Sequence, residues 1–145
     1  MTERLFCCYA RRPEVCAVLV RFIIDRRDPD SGRRQGLFQA AKALRESGSL
    51  SADDERLMER VRGWFNLHLE RPERLALSPR PHAKAQALSW FRDTATEHIA
   101  TMRVFAEILE RYDIAVQMIR TDRPGYILYE DEYQVVAYPF ADTQT

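Results

Sequence analysis

The spacing of the apolar residues changes once in the second half of the chain, and this change limits the possible folds more than any other feature. One segment carries a helical stripe, formed by Ile99, Met102, Phe105, Leu109 and Tyr112. Beyond Tyr112 the spacing drops to two, and residues 114–119, 126–130 and 133–138 each predict a strand. Because no helix separates these strands, the pattern predicts a three-stranded antiparallel meander.

The N-terminal region predicts further strands. Residues 5–9 and 15–24 are rich in β-branched, aromatic and small apolar residues, and they indicate a strand or a hairpin. Residues 25–36 contain turn-forming residues throughout and predict a polar loop. The run 15–24 is the longest apolar stretch, and it contains one charged residue, Arg21.

Helices are predicted between these two groups of strands. Residues 37–46 form a short amphipathic segment, with Gly48 placed to cap its end. Ser51 opens a second helix that Arg71-Pro72 ends. A connector with prolines at positions 72, 79 and 81 follows, then a helical stretch at 83–91. The last helix is predicted to be capped by Asp93 or by Thr94, and Thr94 with Glu97 forms a capping-box pattern. The order predicts one α+β domain over residues 1–145, with an antiparallel sheet of four to five strands and three to four helices on one face.

Composition argues against several classes of protein. The 145 residues carry 22 basic and 22 acidic side chains, and this zero net charge argues against a nucleic-acid partner. No apolar run approaches the roughly 20 residues that span a bilayer, so no membrane partner is expected and a cytoplasmic location is predicted. An odd cysteine number, with Cys7 beside Cys8, argues against a disulfide framework.

Three segments resemble a known group of sequences. The stretch 123–137, the motif at 33–38 and the motif at 89–91 are similar to parts of small hypothetical bacterial proteins. The resemblance implies no activity, cofactor or residue role.

The predicted loop is a candidate anion site. It contains Arg26, Arg27, Arg33 and Arg34 directly before a helix start, where guanidinium and backbone N–H groups could hold a phosphate or carboxylate. It lacks the glycine and lysine pattern of a phosphate-binding P-loop, and three aspartates in the same loop offset its charge.

An acidic turn between two tyrosines is a candidate partner-binding site. It consists of Tyr129, Glu130, Asp131, Glu132 and Tyr133. Successive side chains on a hairpin point to opposite faces, so these carboxylates do not converge on a metal without help from elsewhere. Apolar residues are expected on both faces of the hairpin, which favours a partner chain or a homodimer. Trp64 and Trp90 are expected in the core.

No spacing of cysteine, histidine or carboxylate residues predicts a catalytic or metal site, and no cofactor is expected. Two functions stay open, beside a third and weaker one. The first is a small non-catalytic protein-binding module of a bacterial cell or mobile element, such as an inhibitor, an immunity-type protein or an accessory factor. The alternative is a small-molecule or nucleotide-binding protein, which includes enzymes, that holds an anionic group on the arginine loop. The weaker interpretation is nucleic-acid binding through the basic N-terminal third of the chain.

Overall fold

An apolar segment from Leu19 to Ile24 forms most of the central strand of the structure, because its β-branched and aromatic residues suit a sheet covered on both faces. The computed structural model describes residues 18–29, 32–72 and 86–145. Within them six strands form one antiparallel sheet, and three helices pack against it. The elements are β1 (Leu19–Arg27), β2 (Arg34–Gly36), α1 (Leu37–Glu46), α2 (Ala52–His68), β3 (Leu88–Arg92), α3 (Thr96–Arg111), β4 (Val116–Thr121), β5 (Tyr126–Glu130) and β6 (Gln134–Tyr138). The predicted α+β class is confirmed.

Strand β1 has two partners along one of its edges. Its other edge pairs with β4 along the whole of Leu19–Ile24. On the first edge, β3 pairs with Leu19 and Val20, and β2 takes over at Ile23. The sheet therefore splits at Arg21 and Phe22, between the end of one pairing and the start of the next.

The predicted three-stranded meander is wrong. Strand β4 pairs with β1, whereas β5 pairs with β6, and β6 pairs with β3. The strand order separates β4 from β5 by four inter-strand steps, or about 19 Å in a flat sheet. The chain from Thr121 to Tyr126 can reach only about 17 Å. The sheet must therefore curl, and one short connection then links its two outer strands.

The curled sheet separates two apolar clusters. Its outer face packs against the helices through a large cluster that includes Val20, Phe22, Phe91 and Phe105. Its inner face holds a smaller one, which consists of Leu19, Ile23, Leu88, Trp90, Ile119, Val135 and Ala137. The alternation of side chains along β1 and β3 distributes their residues between the two clusters. Trp90 lies in the core as predicted, and Trp64 packs at the margin of the larger cluster.

Of the predicted helix caps, those at Ser51 and Gly48 are confirmed and the one at the start of α3 is wrong. Helix α2 begins after Ser51, whose hydroxyl accepts the backbone N–H of Asp54, as predicted. Gly48 follows α1 with a φ of +72°, which fits the predicted cap. Helix α3, in contrast, begins after Ala95 without a side-chain cap, so the predicted cap at Asp93 or Thr94 is wrong.

Two other segments differ from prediction. Residues 88–91 were predicted as helix, yet they belong to strand β3, because burial between two neighbouring strands decides their conformation. The polar loop predicted at 25–36 is shorter, since β1 extends to Arg27 and β2 begins at Arg34. The predicted strand at 5–9, the three cysteines and most of the proline-containing connector lie outside the described residues.

Candidate functional site

A cavity of about 650 Å³ opens where the sheet splits. Its walls come from β1, β3, the start of α1 and the end of α2. This volume lies within the usual range of about 300–1,000 Å³ for sites that bind small organic molecules. The split in β1 pairing therefore forms a cavity at the centre of the sheet that is large enough for a small organic molecule.

Arg21 is the charged residue at the centre of this site. It lies on the inner face of β1, between Leu19 and Ile23 and opposite Ile119 of β4, and only 7% of its surface is exposed. Its Nη2 donates to the carbonyl oxygen of Arg34 at 2.6 Å, whereas its Nη1 has no hydrogen-bond partner in the described part of the chain. A buried guanidinium nitrogen without a partner is costly, so it marks a place where a ligand oxygen would be stabilised.

Trp90 supplies a second donor of the same kind. The β1–β3 register pairs Leu19 with Arg92 and Val20 with Phe91, and Trp90 is the next residue of β3 beyond the last paired position. The indole is 1% exposed, and its Nε1 has no partner among the described residues. Both unpartnered donors belong to side chains that line one cavity.

The cavity is rich in positive charge. Five basic and two acidic side chains line it: Arg21, Arg34, Lys42, Arg62 and Arg71, with Asp28 and Glu70. Burial, followed by the neighbouring Arg34, lowers the pKa of Arg21 to about 10, although the Asp28 carboxylate acts in the opposite direction. Arg21 therefore stays charged at neutral pH, and the electrostatics of the site favour an anion.

Aromatic side chains form the wall nearest the helices. The Phe38 ring, half exposed, stands edge-on to Phe65 at 5.1 Å between centroids, and Phe22 and Phe91 line the same cavity. Met102 of α3 also lines it. The lining of the cavity thus includes apolar ring surface as well as basic side chains.

The four arginines predicted as an anion site have different surroundings in the structure. Arg34 lines the cavity, but its Nε donates to the backbone oxygen of Thr145 and its Nη1 to Gln117. Arg33 donates to the Thr145 hydroxyl, and Arg27 donates to the carbonyl of Gly32 within its own loop. Arg26, at an exposed position of β1, does not line the cavity. Of the predicted set, the structure thus brings only Arg34 to the cavity.

The predicted partner-binding segment is a turn held together by its own aspartate. Asp131 Oδ1 accepts the backbone N–H groups of Tyr133 and Gln134, and its Oδ2 accepts the Tyr129 hydroxyl and the Gln134 amide. Burial acts to raise the pKa of Asp131, but these donated hydrogen bonds outweigh it and lower the pKa. Asp131 therefore organises the turn.

The other residues of this segment have separate surroundings. Glu130 pairs with Arg92 at 3.1 Å, and Tyr133 stacks on buried His98 with 4.4 Å between ring centroids. Glu132 is exposed. Together with the end of α2, Tyr129 and residues 131–133 line a second, shallower depression of about 570 Å³. Partner binding by this segment stays a prediction.

Sequence reasoning missed Arg21 and Trp90 as site residues. A signal for Arg21 was present, because a charged residue inside an otherwise apolar strand is either paired or functional. Trp90 gave no such signal, since its role depends on a strand register that the predicted helix at 83–91 concealed. Within residues 18–29, 32–72 and 86–145 no group of three metal-ligating side chains is present.

Comparisons of the chain with protein-family models, with curated proteins and with solved structures give no match. In the described part of the chain no helix has the length and apolar character needed to cross a membrane.

Proposed function

We propose that the protein binds a small organic anion in the cavity at the sheet split. The observation that carries this proposal is the pair of buried, unpartnered donors, Arg21 Nη1 and Trp90 Nε1, on neighbouring strands of one cavity. The positive lining and the aromatic wall support it. The proposal keeps the predicted small-molecule function but moves the anion from the arginine loop to Arg21 and Trp90, with Arg34 at the margin.

A buried charge inside a sheet, offset in part by the Asp28 carboxylate, is the physical reason for this choice. Arg21 could be replaced by an apolar residue of similar size at no cost to packing, and such replacements of buried charges are often neutral or stabilising. A chain that places an arginine here gives up stability that a bound anion would restore. None of these features requires catalysis, so we propose binding alone.

Thermal unfolding with a matched set of compounds tests the proposal. The probes are 1-naphthylacetate, 1-naphthyl phosphate and the uncharged 1-naphthylacetamide, each with the same flat apolar body. We expect at least one anion to raise the Tm of the wild-type protein more than the amide does. At a ligand concentration of 100 times Kd the stabilisation would be about 2.7 kcal/mol.

Two variants make this test specific. Arg21→Met removes the buried donor, so the anion should no longer raise the Tm. Arg56→Met removes an arginine of α2 whose side chain is 70% exposed, and this control should respond as the wild type does. Equal responses of wild type and Arg21→Met would refute the proposal.

A second candidate function, association of two copies of this chain, has its own observation. Strand β5 lies at the end of the strand order, and its Tyr126 and Ile127 are 42% and 48% exposed. Among the described strands β5 pairs with β6 alone, so its other edge is open to the same edge of a second copy. We propose this homodimer as the form that the predicted protein binding takes. The predicted cytoplasmic location and bacterial origin stay predictions.

Sedimentation of the purified protein tests this second candidate. We expect a concentration-dependent dimer, and we expect Ile127→Lys to shift it towards monomer, since a lysine on the edge opposes strand pairing. Leu67→Lys, at another exposed apolar position, is the control and should leave the dimer intact. A wild-type protein that stays monomeric at high concentration would exclude the homodimer.

A further inference from the structure

Strand β3 has an open edge where the sheet splits. Along one edge it pairs with β6 over Leu88–Phe91, whereas along the other its pairing with β1 stops at Phe91. No described strand pairs with residues 88–90 on the side of β1. This edge consists of backbone groups, so what it binds goes beyond the proposed function, which concerns the side chains of Arg21 and Trp90.

Two backbone hydrogen bonds show which groups of β3 face the split. The N–H of Asp93 donates to the carbonyl oxygen of Val18, on the side of β1. The N–H of Arg92 donates to the carbonyl oxygen of Tyr133, on the side of β6. The backbone groups of successive residues in a strand point to alternate edges. The N–H and C=O of Ser89, four residues before Asp93, therefore point to the side of β1.

The backbone groups of Ser89 thus face an open space. Ser89 is exposed, and it lines the cavity at the split together with Ala87 and Leu88. An unpaired strand edge is a template for pairing with another chain. One residue placed directly opposite Ser89 can exchange both of its backbone hydrogen bonds with it, as in an antiparallel ladder.

The faces of the sheet indicate which side chain such a residue would carry. Leu88 and Trp90 belong to the inner cluster, whereas Phe91 belongs to the outer one. Alternation along β3 therefore places Ser89 on the outer face, towards the helices. A residue opposite Ser89 shares that face, on which Met102 of α3 also lines the cavity. An apolar side chain is therefore favoured at this position.

The charge of the cavity lining favours acidic residues beside it. Lys42 and Arg71 are exposed members of the lining, and neither forms an ion pair within the described residues. The lining as a whole carries five basic side chains against two acidic ones. Carboxylates on either side of the apolar residue would thus enter a region of complementary charge.

We infer that the open edge of β3 binds an extended segment of a partner protein, which adds to the sheet as a short strand opposite Ser89. One apolar side chain of this segment faces the helices, and acidic residues flank it. In strand addition of this kind, main-chain hydrogen bonds contribute affinity and side-chain contacts give specificity. The partner is therefore a protein that carries an exposed, extended and acidic segment.

Calorimetric titration of the full chain with three synthetic peptides tests this inference. The probe is acetyl-Glu-Thr-Val-Thr-Glu-amide, whose β-branched centre favours an extended conformation. One control peptide carries N-methyl groups on all five residues, which removes their N–H donors and keeps every side chain. The other control has lysine in place of both glutamates. We expect the acidic peptide to bind roughly tenfold tighter than either control, or more.

Three variants of the protein locate the binding site. Ser89→Pro removes the N–H that faces the split and none that bonds to β6, so it should weaken the acidic peptide by roughly tenfold. Lys42→Glu reverses an exposed charge of the lining and should weaken it by roughly fivefold, which tests the site even if the proline variant does not fold. Arg56→Glu, at an exposed position of α2 outside the lining, should leave the affinity unchanged.

Three results would overturn the inference. Equal affinities of the acidic and the N-methylated peptide would show that backbone hydrogen bonds play no part. Tighter binding of the lysine peptide would show that the partner is not acidic. Absence of binding at millimolar peptide would show that the edge is closed to an added strand. 1-Naphthylacetate has no backbone N–H groups, so its binding tests the proposed function separately.

Discussion

At the scale of single residues, Arg21 is a charged side chain at a buried position of an otherwise apolar sheet face. Its neighbours on the same sheet face are apolar, and its position in the central strand is one that valine or isoleucine would fill well. One hydrogen bond to the carbonyl oxygen of Arg34 does not satisfy a guanidinium with five N–H donors. Local inconsistencies of this kind in an otherwise regular element are typical of functional sites.

The first prediction concerns the stability of the protein without ligand. We expect Arg21→Met to leave the free energy of unfolding within about 1 kcal/mol of the wild-type value, or to raise it, because the variant removes a buried charge and fills the same volume. Urea unfolding followed by circular dichroism measures this. A decrease of about 3 kcal/mol or more in the free energy of unfolding would contradict this expectation, since it would show that Arg21 stabilises the sheet.

At the scale of elements, the connection between β4 and β5 sets the curl of the sheet. Gly125 lies in this connection with a φ of +127°, and a Cβ atom built on it would lie 1.9 Å from the carbonyl oxygen of Tyr138. Both the backbone conformation and the close approach to β6 thus require glycine. The short apolar strands on either side were predicted, but this contact was not, because the sequence indicates a turn without saying which strands it joins.

The second prediction follows from that contact. Gly125→Ala should lower the free energy of unfolding by roughly 2–4 kcal/mol, the combined cost of backbone strain and overpacking. Gly63→Ala is the matched control, since Gly63 lies inside α2 with no atom within 4 Å of an added Cβ. That control should raise the stability by up to about 1 kcal/mol. Similar effects of the two substitutions would show that β6 does not lie against this connection.

At the scale of the whole molecule, the sequence revealed the class of the fold but not its connections. Helices α1 and α2 and strands β5 and β6 follow from periodicity and from Ser51 and Gly48. The pairing of β4 with β1 did not follow, because strand order depends on contacts between residues about 100 positions apart. The arginine loop was predicted from composition, whereas the cavity arises from the change of partner along β1, which no local pattern encodes.

The distribution of charge over the molecule explains how a protein with zero net charge can bind an anion. The net charge of zero describes the chain as a whole, yet the cavity lining carries five basic side chains against two acidic ones. Local charge inside a partly desolvated cavity outweighs the overall balance, since interactions at the surface are screened by salt.

The most direct test of the account is an NMR titration of the tryptophan indole N–H signals with 1-naphthylacetate. The chain has two tryptophans, so two indole signals are expected, and Trp64→Phe identifies the one that belongs to Trp90. We expect the Trp90 Nε1–H signal to move downfield as a carboxylate oxygen accepts its hydrogen bond, to saturate, and to stay in place in Arg21→Met. A Trp90 signal that stays in place while the compound binds elsewhere would contradict the central claim.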